Sequence, residues 1–318
     1  MTSIILERGR CIISPTSIVQ LAYSPTSGTE PKPAPEGWTR FVLLSDTHAQ
    51  TFPVPAGDVL LHAGDLTRRG TFRDLRHTMH WLYALPHPIK IVITGNRDFA
   101  LHREWYDVHW THTGRPGKPA VWEPPDPIFE LLAGARAHAA NIVYLRDERY
   151  AFRVRPDGRE WSVYGSPQSP NFGARVRAFG YDAADAPAVV SGFPAVDILL
   201  THGPPYGVLD CTTRGACAGC PALTARLSTL RPRLHVFGHI HEARGAYIHR
   251  WAGGAGAVPG TQMDGGVHED ELVVGDGEQT VFVNAANFPA GPNAVSGGEP
   301  VHSVGGPGVQ PVVVDLLD

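Results

Sequence analysis

Six short apolar runs constrain this chain more than any other feature: RFVLLSD, DVLLHAGD, IKIVITGN, NIVYL, DILLTHG and LHVFGH. Each is rich in Val, Ile and Leu without strict alternation, the pattern of strands buried on both faces. Between the second and third runs, Phe72, Leu75, Met79 and Leu82 recur at helical spacing after Gly70 and Thr71, predicting one amphipathic crossover helix. Strands alternating with helices give an α/β organisation. In the middle of the chain, AFRVRPDGREWSVYGS reads as two strands joined at Pro156, Asp157 and Gly158, a hairpin signal, so the sheets are expected to be mixed.

With 318 residues and 42% hydrophobic content, the chain can bury one large core, and nothing in its composition demands a second. The expected division is an irregular arm over residues 1–38, ending in SPTSGTEPKPAPEGW, followed by a single domain over residues 39–318. Two further stretches read as loops: residues 112–127, with five prolines, and residues 252–279, rich in glycine and acidic groups. Lysine and arginine number 27 against 31 acidic residues, so the chain lacks the positive excess that drives binding to a nucleic-acid polymer. No apolar run approaches the roughly 20 residues of a membrane-spanning helix, so no membrane partner is expected. Glu7, Arg8 and Arg10 interrupt the apolar N-terminus where a secretory signal needs continuity, and a cytoplasmic location is expected. Cys211, Cys217 and Cys220 lie close together but without a second zinc-finger pair; reduced thiols packing as small hydrophobes are expected there rather than a zinc or redox site.

Polar clusters follow five of the apolar runs: Asp46 and His48 in SDTHA, Asp65 in GDLT, Asn96 in GNRD, His202 in THGPP, and His239 with His241 in GHIH. One buried Asp or His is most often a structural hydrogen-bonding residue. Seven such groups at consecutive strand ends are a different matter, because the C-terminal ends of parallel strands converge on one edge of a sheet. Mixed oxygen and imidazole donors suit Mn, Fe, Zn or Mg, and two cations about 3.5–4 Å apart need a shared carboxylate. Asp65 is the natural bridge.

These ordered motifs resemble those of the calcineurin-like metallophosphoesterase superfamily, and GDVLLHAGD, KIVITGN, VYGSP, DILLTHGPP and PRLHVFGHIHE resemble more narrowly the metallophosphoesterase-domain-containing (MPPED) group. The likeness runs from about Trp38 to the end of the chain. It implies a four-layer αββα sandwich of two mixed β-sheets with flanking helices. It also implies two divalent metal ions, with Mn expected first, one held by Asp46, His48 and His241 and the other by Asn96, His202 and His239, bridged by Asp65. The implied chemistry is hydrolysis of a phosphoester by hydroxide, with Asp65, Asn96, Arg97 and His202 as the catalytic residues. A small-molecule or cyclic-nucleotide-like phosphodiester is the expected substrate, and a phosphomonoester is the rival.

One position departs from the family pattern, which usually reads Gly-Asn-His where this chain has Gly95, Asn96 and Arg97. The histidine is the family's expected proton donor, and an arginine stays protonated at ordinary pH. Two readings stand for Arg97: a phosphoryl-oxygen ligand that leaves hydrolysis slow, or a salt bridge to Asp98 or another acid at the site's edge with His62, His102, His109 or His112 supplying the proton. A weakly active metal-binding scaffold, or a dimetal hydrolase of a non-phosphate substrate, are the competing functions. For substrate contacts, Phe172, Arg175, Arg177, Phe179 and Tyr181 in residues 166–181 could stack a base and hold phosphate, or could be packed and solvated loop residues. Asn284 could support the metal shell or make a structural amide bond.

Overall fold

A computed structural model describes residues 4–5, 11–23, 31–114, 117, 119–171, 177–251, 278–289, 295–296, 299–300 and 303–318. One seven-stranded sheet runs in the spatial order β2 (Cys11–Ile13), β3 (Ser17–Gln20), β18 (Val312–Leu317), β4 (Trp38–Leu44), β5 (Val59–Ala63), β6 (Ile89–Ile93) and β7 (Ile142–Tyr144). The other runs β1 (Ile4–Ile5), β14 (Gly245–Arg250), β15 (Gln279–Asn284), β13 (Leu234–Phe237), β12 (Ile198–Thr201), β9 (Glu160–Ser166) and β8 (Glu148–Arg153). Strands β4 to β7 are parallel, as are β9, β12, β13 and β15, while the flanking strands pair antiparallel. Both sheets are therefore mixed. Two short pairs complete the strands described: β10 (Ser169–Pro170) with β11 (Gly180–Tyr181), and β16 (Val295–Ser296) with β17 (Glu299–Pro300).

Side chains alternate across each strand and so build three apolar layers. Phe41, Leu43, Val59, Leu61, Ile91 and Ile93 face Trp161, Val163, Ile198, Leu200, Val236 and Val281 in the space between the sheets. The Phe41 and Trp161 rings meet there edge to face, with centroids 5.1 Å apart. On the outer face of the first sheet, Leu44, Leu60 and Val92 pack against α1 (Phe72–Ala84), α3 (Pro125–Ala133) and α4 (Ala135–Ala139), with α2 (Arg103–His109) in the same cluster. Leu199, Phe237 and Phe282 do the same on the other side with α5 (Ala186–Ser191) and α6 (Pro221–Leu230). Helix, sheet, sheet, helix is the four-layer order. No helix among the described residues is long and apolar enough to cross a membrane.

The predicted crossover helix is α1, capped by Thr71, whose hydroxyl accepts the Asp74 amide at 3.1 Å, and anchored by Leu75, Met79 and Leu82. The predicted hairpin is β8–β9, with Phe152 opposite Trp161 and Gly158 N–H closing the turn onto the Arg155 carbonyl at 3.0 Å. The N-terminal arm is a correction. Residues 1–38 are not wholly irregular, because Cys11–Ile13 and Ser17–Gln20 extend the first sheet through β18, with Val19 opposite Val314. Short strands with Ser14, Pro15 and Thr16 between them carry little periodic signal, and only the distant partner β18 joins their pair to the sheet. The proline-rich stretch also ends sooner than expected, since Pro125 opens α3, where a missing N–H costs nothing. Of the glycine-rich stretch, residues 252–277 lie outside the described residues.

Candidate metal centre

All seven sequence-predicted ligands gather at the edge where β4, β5, β6, β12 and β13 end. Each strand is followed at once by a sharp turn, and Asp46, His48, Asp65 and His239 adopt positive φ of 53°, 46°, 53° and 70°. Side-chain-bearing residues rarely enter this left-handed region, and they persist there only where surrounding structure holds them. The tight approach also requires glycine. A Cβ at Gly238 would stand 2.3 Å from Asp46 Oδ2, and Gly64, at φ 97°, lies where a Cβ would meet the Thr94 carbonyl at 2.6 Å.

The donor atoms face one another. Ligand atoms of Asp46, His48 and His241 lie within 4.8 Å of each other, as do those of Asp46, Asp65 and His202. His241 Nε2 is 3.1 Å from Asp46 Oδ1 and 3.4 Å from His48 Nε2, which in turn is 3.8 Å from Asp65 Oδ2. Asn96 Oδ1 is 3.0 Å from His202 Nε2 and 2.7 Å from His239 Nδ1, and His202 Nε2 is 3.5 Å from Asp65 Oδ1. Asp46 thus reaches both clusters, in addition to the bridging place expected for Asp65.

Backbone carbonyls behind two of these rings fix their tautomers. His48 Nδ1 donates to the Thr67 carbonyl at 3.0 Å, and His202 Nδ1 donates to the Ala63 carbonyl at 2.9 Å. A neutral imidazole protonated at Nδ1 presents a bare lone pair at Nε2. Both lone pairs then point at other acceptors: His202 Nε2 at the Asn96 and Asp65 oxygens, His48 Nε2 toward Asp46 and Asp65. Acceptors gathered against acceptors repel unless a cation lies among them, so the residues present fit divalent metal ions. Burial would raise the Asp46 carboxyl, but the charge and hydrogen bond of His241, with His202 and His48, hold it well below the ordinary range. Burial lowers the His48 pKa despite the opposing charges of Asp65 and Asp46.

Several supporting residues were not legible as such in the sequence. Asp98 is fully buried and accepts from Leu66 N, Thr67 N, Thr67 Oγ1 and Gly95 N at 2.8–3.2 Å, tying the GDLT turn to the GNRD turn. Burial, then the Asp65 charge, pushes its carboxyl up to about 7. Asn287 accepts Ser45 N–H at 3.1 Å and so braces the turn carrying Asp46, while Phe288 lies edge-on to His48 at 5.0 Å. Buried asparagines in VNAAN were the one visible signal. Asn284 donates to the Ile240 carbonyl at 2.9 Å and to the Leu209 carbonyl at 3.1 Å, so it holds the backbone between His239 and His241 through a structural amide bond.

Arg97 does not pair with Asp98. Its side chain is exposed, and its backbone N–H donates to Asp65 Oδ1 at 2.7 Å. Two of the neighbouring histidines, His62 and His102, do not replace the missing acid. His62 is buried beneath the turn with Nε2 at 3.1 Å from Thr47 Oγ1 and Nδ1 accepting Gly64 N–H, and burial drives its pKa down to about 3. His102 accepts Phe179 N–H at 2.7 Å and stacks on that ring, and burial takes its pKa down to about 4. His109 and His112 stack on each other, with centroids 5.7 Å apart, at the end of α2.

Of the proposed substrate contacts, Phe172 and Arg175 lie outside the described residues. Phe179 is buried against His102, and Tyr181 is buried in the β10–β11 pair with its hydroxyl bonded to Cys220, so neither ring is offered to a base. Arg177 is close enough for its charge to act on His239: burial lowers that imidazole's pKa well below the usual range, and His202 and Arg177 add to the effect. Among the cysteines, Cys220 packs as expected, buried at the N-cap of α6. Cys211 instead stands exposed with its sulfur 3.2 Å from that of Cys217.

The sequence pattern of the calcineurin-like phosphoesterases matches residues 39–243. The chain is 36% identical over 227 residues to metallophosphoesterase domain-containing protein 1 of Homo sapiens and of Mus musculus, covering 67% of this chain and 64% of each relative. It therefore spans about two thirds of the length of those relatives. It is also 32% identical over 237 residues to a probable rhamnogalacturonate lyase C of Emericella nidulans, across 74% of this chain but 20% of that protein. With the match spanning the strands and turns that carry all seven donors, this chain belongs to the calcineurin-like phosphoesterase family.

Proposed function

We propose that this protein is a metal-dependent hydrolase of a small phosphodiester, with a cyclic nucleotide among the candidate substrates and Mn as the first metal to test. The observation that carries the reading is the convergence of unprotonated imidazole nitrogens on carboxylate and amide oxygens, an arrangement suited to two divalent cations. When bound, such cations supply Lewis-acid polarisation of the phosphoryl oxygens and a water acidic enough to ionise near neutral pH. The chain's own part is to hold Asp46 ionised, to keep His48 and His202 each in one tautomer, and to fix the turns through Asp98, Asn284 and Asn287.

Arg97 defines the expected substrate preference. Its guanidinium can hydrogen-bond a phosphoryl oxygen but cannot deliver a proton to a leaving alkoxide. His62 and His102 are both neutral and internally engaged, so neither supplies the leaving group's proton. Diesters with good leaving groups should turn over, and unactivated esters should be slow. The test is a panel of bis(p-nitrophenyl) phosphate, p-nitrophenyl phosphate and cyclic nucleotides with added Mn, Mg, Zn or Fe. Bound metal without turnover of any of them would replace this reading with that of a metal-binding scaffold, which the exposed Arg97 side chain also favours.

A further inference from the structure

A cleft of about 880 Å³ adjoins the metal edge, and its walls carry Arg68, Arg69, Arg73, Arg76, His77 and His80. Ala49 and Gln50 also line it, directly after His48, and Arg68 directly follows Thr67, whose carbonyl holds the His48 ring. The cleft therefore begins on the same two turns that carry the candidate ligands. Four arginines share it with two carboxylates, Asp74 and Glu123, in a chain whose formal net charge is -4. Glu123 is already committed, accepting Phe72 N–H at 2.6 Å at the start of α1. Arg69 is tied to the Thr113 and Gly114 carbonyls, and Arg76 lies over the Phe72 ring. Arg68 and Arg73 are exposed and form no ion pair among the described residues.

Like charges held together repel, and an anion relieves them. Guanidinium forks match phosphate and phosphonate oxygens bidentately. We propose that this cleft binds a second, non-scissile anionic group of the ligand that occupies the metal edge, so that the substrate class is a phosphoester bearing an additional phosphate. The proposal rests on the hydrolase reading for the identity of the first group, but binding at the cleft requires no turnover.

Hexylphosphonate and 1,6-hexanebisphosphonate, whose P–C bonds are not phosphoesters, test it by calorimetry on the metal-loaded full chain. The bisphosphonate should bind at least about tenfold more tightly than the monophosphonate, as one charge-assisted guanidinium contact predicts. In the double variant Arg68→Ala/Arg73→Ala the preference should fall below about threefold. Arg149→Ala, the same kind of charge change on exposed β8, should retain it. No preference in the unaltered protein, or a preference that survives the double variant, overturns the proposal. Turnover of the same panel of phosphoesters is measured alongside: its absence for all of them with the preference intact would sink the hydrolase reading and leave the cleft standing.

Discussion

At the metal edge Asp46, His48, Asp65, Asn96 and His202 are buried, and the rings of His48 and His202 are each held from behind by a backbone carbonyl. A few residues along the same turns, Arg68 and Arg73 stand exposed with nothing to pair with among the described residues. The first region fixes atoms, since His48 and His202 are each locked by a carbonyl and Asp98 gathers four donors. The second supplies charge without fixed geometry. Placing lone pairs on a cation needs tenth-of-ångström control, which only a packed shell provides. Attracting a solvated anion needs only a sum of charges, for which long exposed side chains suffice.

That contrast can be broken most decisively at Asp65. Asp65→Asn should lower turnover of bis(p-nitrophenyl) phosphate at least about 100-fold and reduce bound metal, both read on the same purified protein. Retention of wild-type metal content and rate would mean that the buried edge tolerates loss of a donor as readily as an exposed surface does. Next comes Arg97→His, which restores an acid where the chain has only a permanent cation. Its turnover of a poor leaving group should rise at least about tenfold more than that of the nitrophenyl ester. An equal change on both substrates would remove the proton-donor argument.

Asn284→Ala sharpens the role of the packed shell, because Asn284 touches no candidate metal position yet holds the Ile240 carbonyl between His239 and His241. Its loss should weaken metal affinity about tenfold in a chelator competition. Unchanged affinity would show that the turn stands without it. The last effect concerns burial itself. His235 is fully buried on β13, its Nε2 donates to Thr201 Oγ1 at 2.9 Å, its Nδ1 has no partner, and burial lowers its pKa from 6.5 to about 3. The unfolded chain takes up this proton first, so the stability it contributes is complete above about pH 6.5 and is lost as pH falls toward 3. At pH 5 the loss is about 2 kcal/mol. His235→Gln keeps an amide donor for Thr201 and should flatten the fall in melting temperature between pH 6.5 and 5. An unaltered slope would assign the acid sensitivity elsewhere.

The residues most legible in the sequence were those whose role follows from chain order. Val, Ile and Leu runs ending in Asp46, Asp65, Asn96, His202 and His239 announce parallel strands, and parallel strands bring their C-terminal ends together whatever the details of packing. The helix of Leu75, Met79 and Leu82 and the turn at Gly158 were legible for the same reason, since their signals are local. Cys11–Ile13 and Ser17–Gln20 were not, because their strand character depends on β18, which follows them by almost the length of the chain.

Sequence by itself therefore determined the α/β class and which seven side chains, in which order along the chain, arrive at the metal edge. Tertiary structure alone decided what those side chains do on arrival. The left-handed turns at Asp46, His48, Asp65 and His239, the tautomers of His48 and His202, the exposed Arg97 side chain and the arginine cleft beside them depend on atoms far apart in the chain. Strand character and the residues at strand ends follow from local hydrophobic pattern. Hydrogen-bond direction and the charge a side chain keeps follow from which groups are packed against it, and one-dimensional spacing carries no record of that.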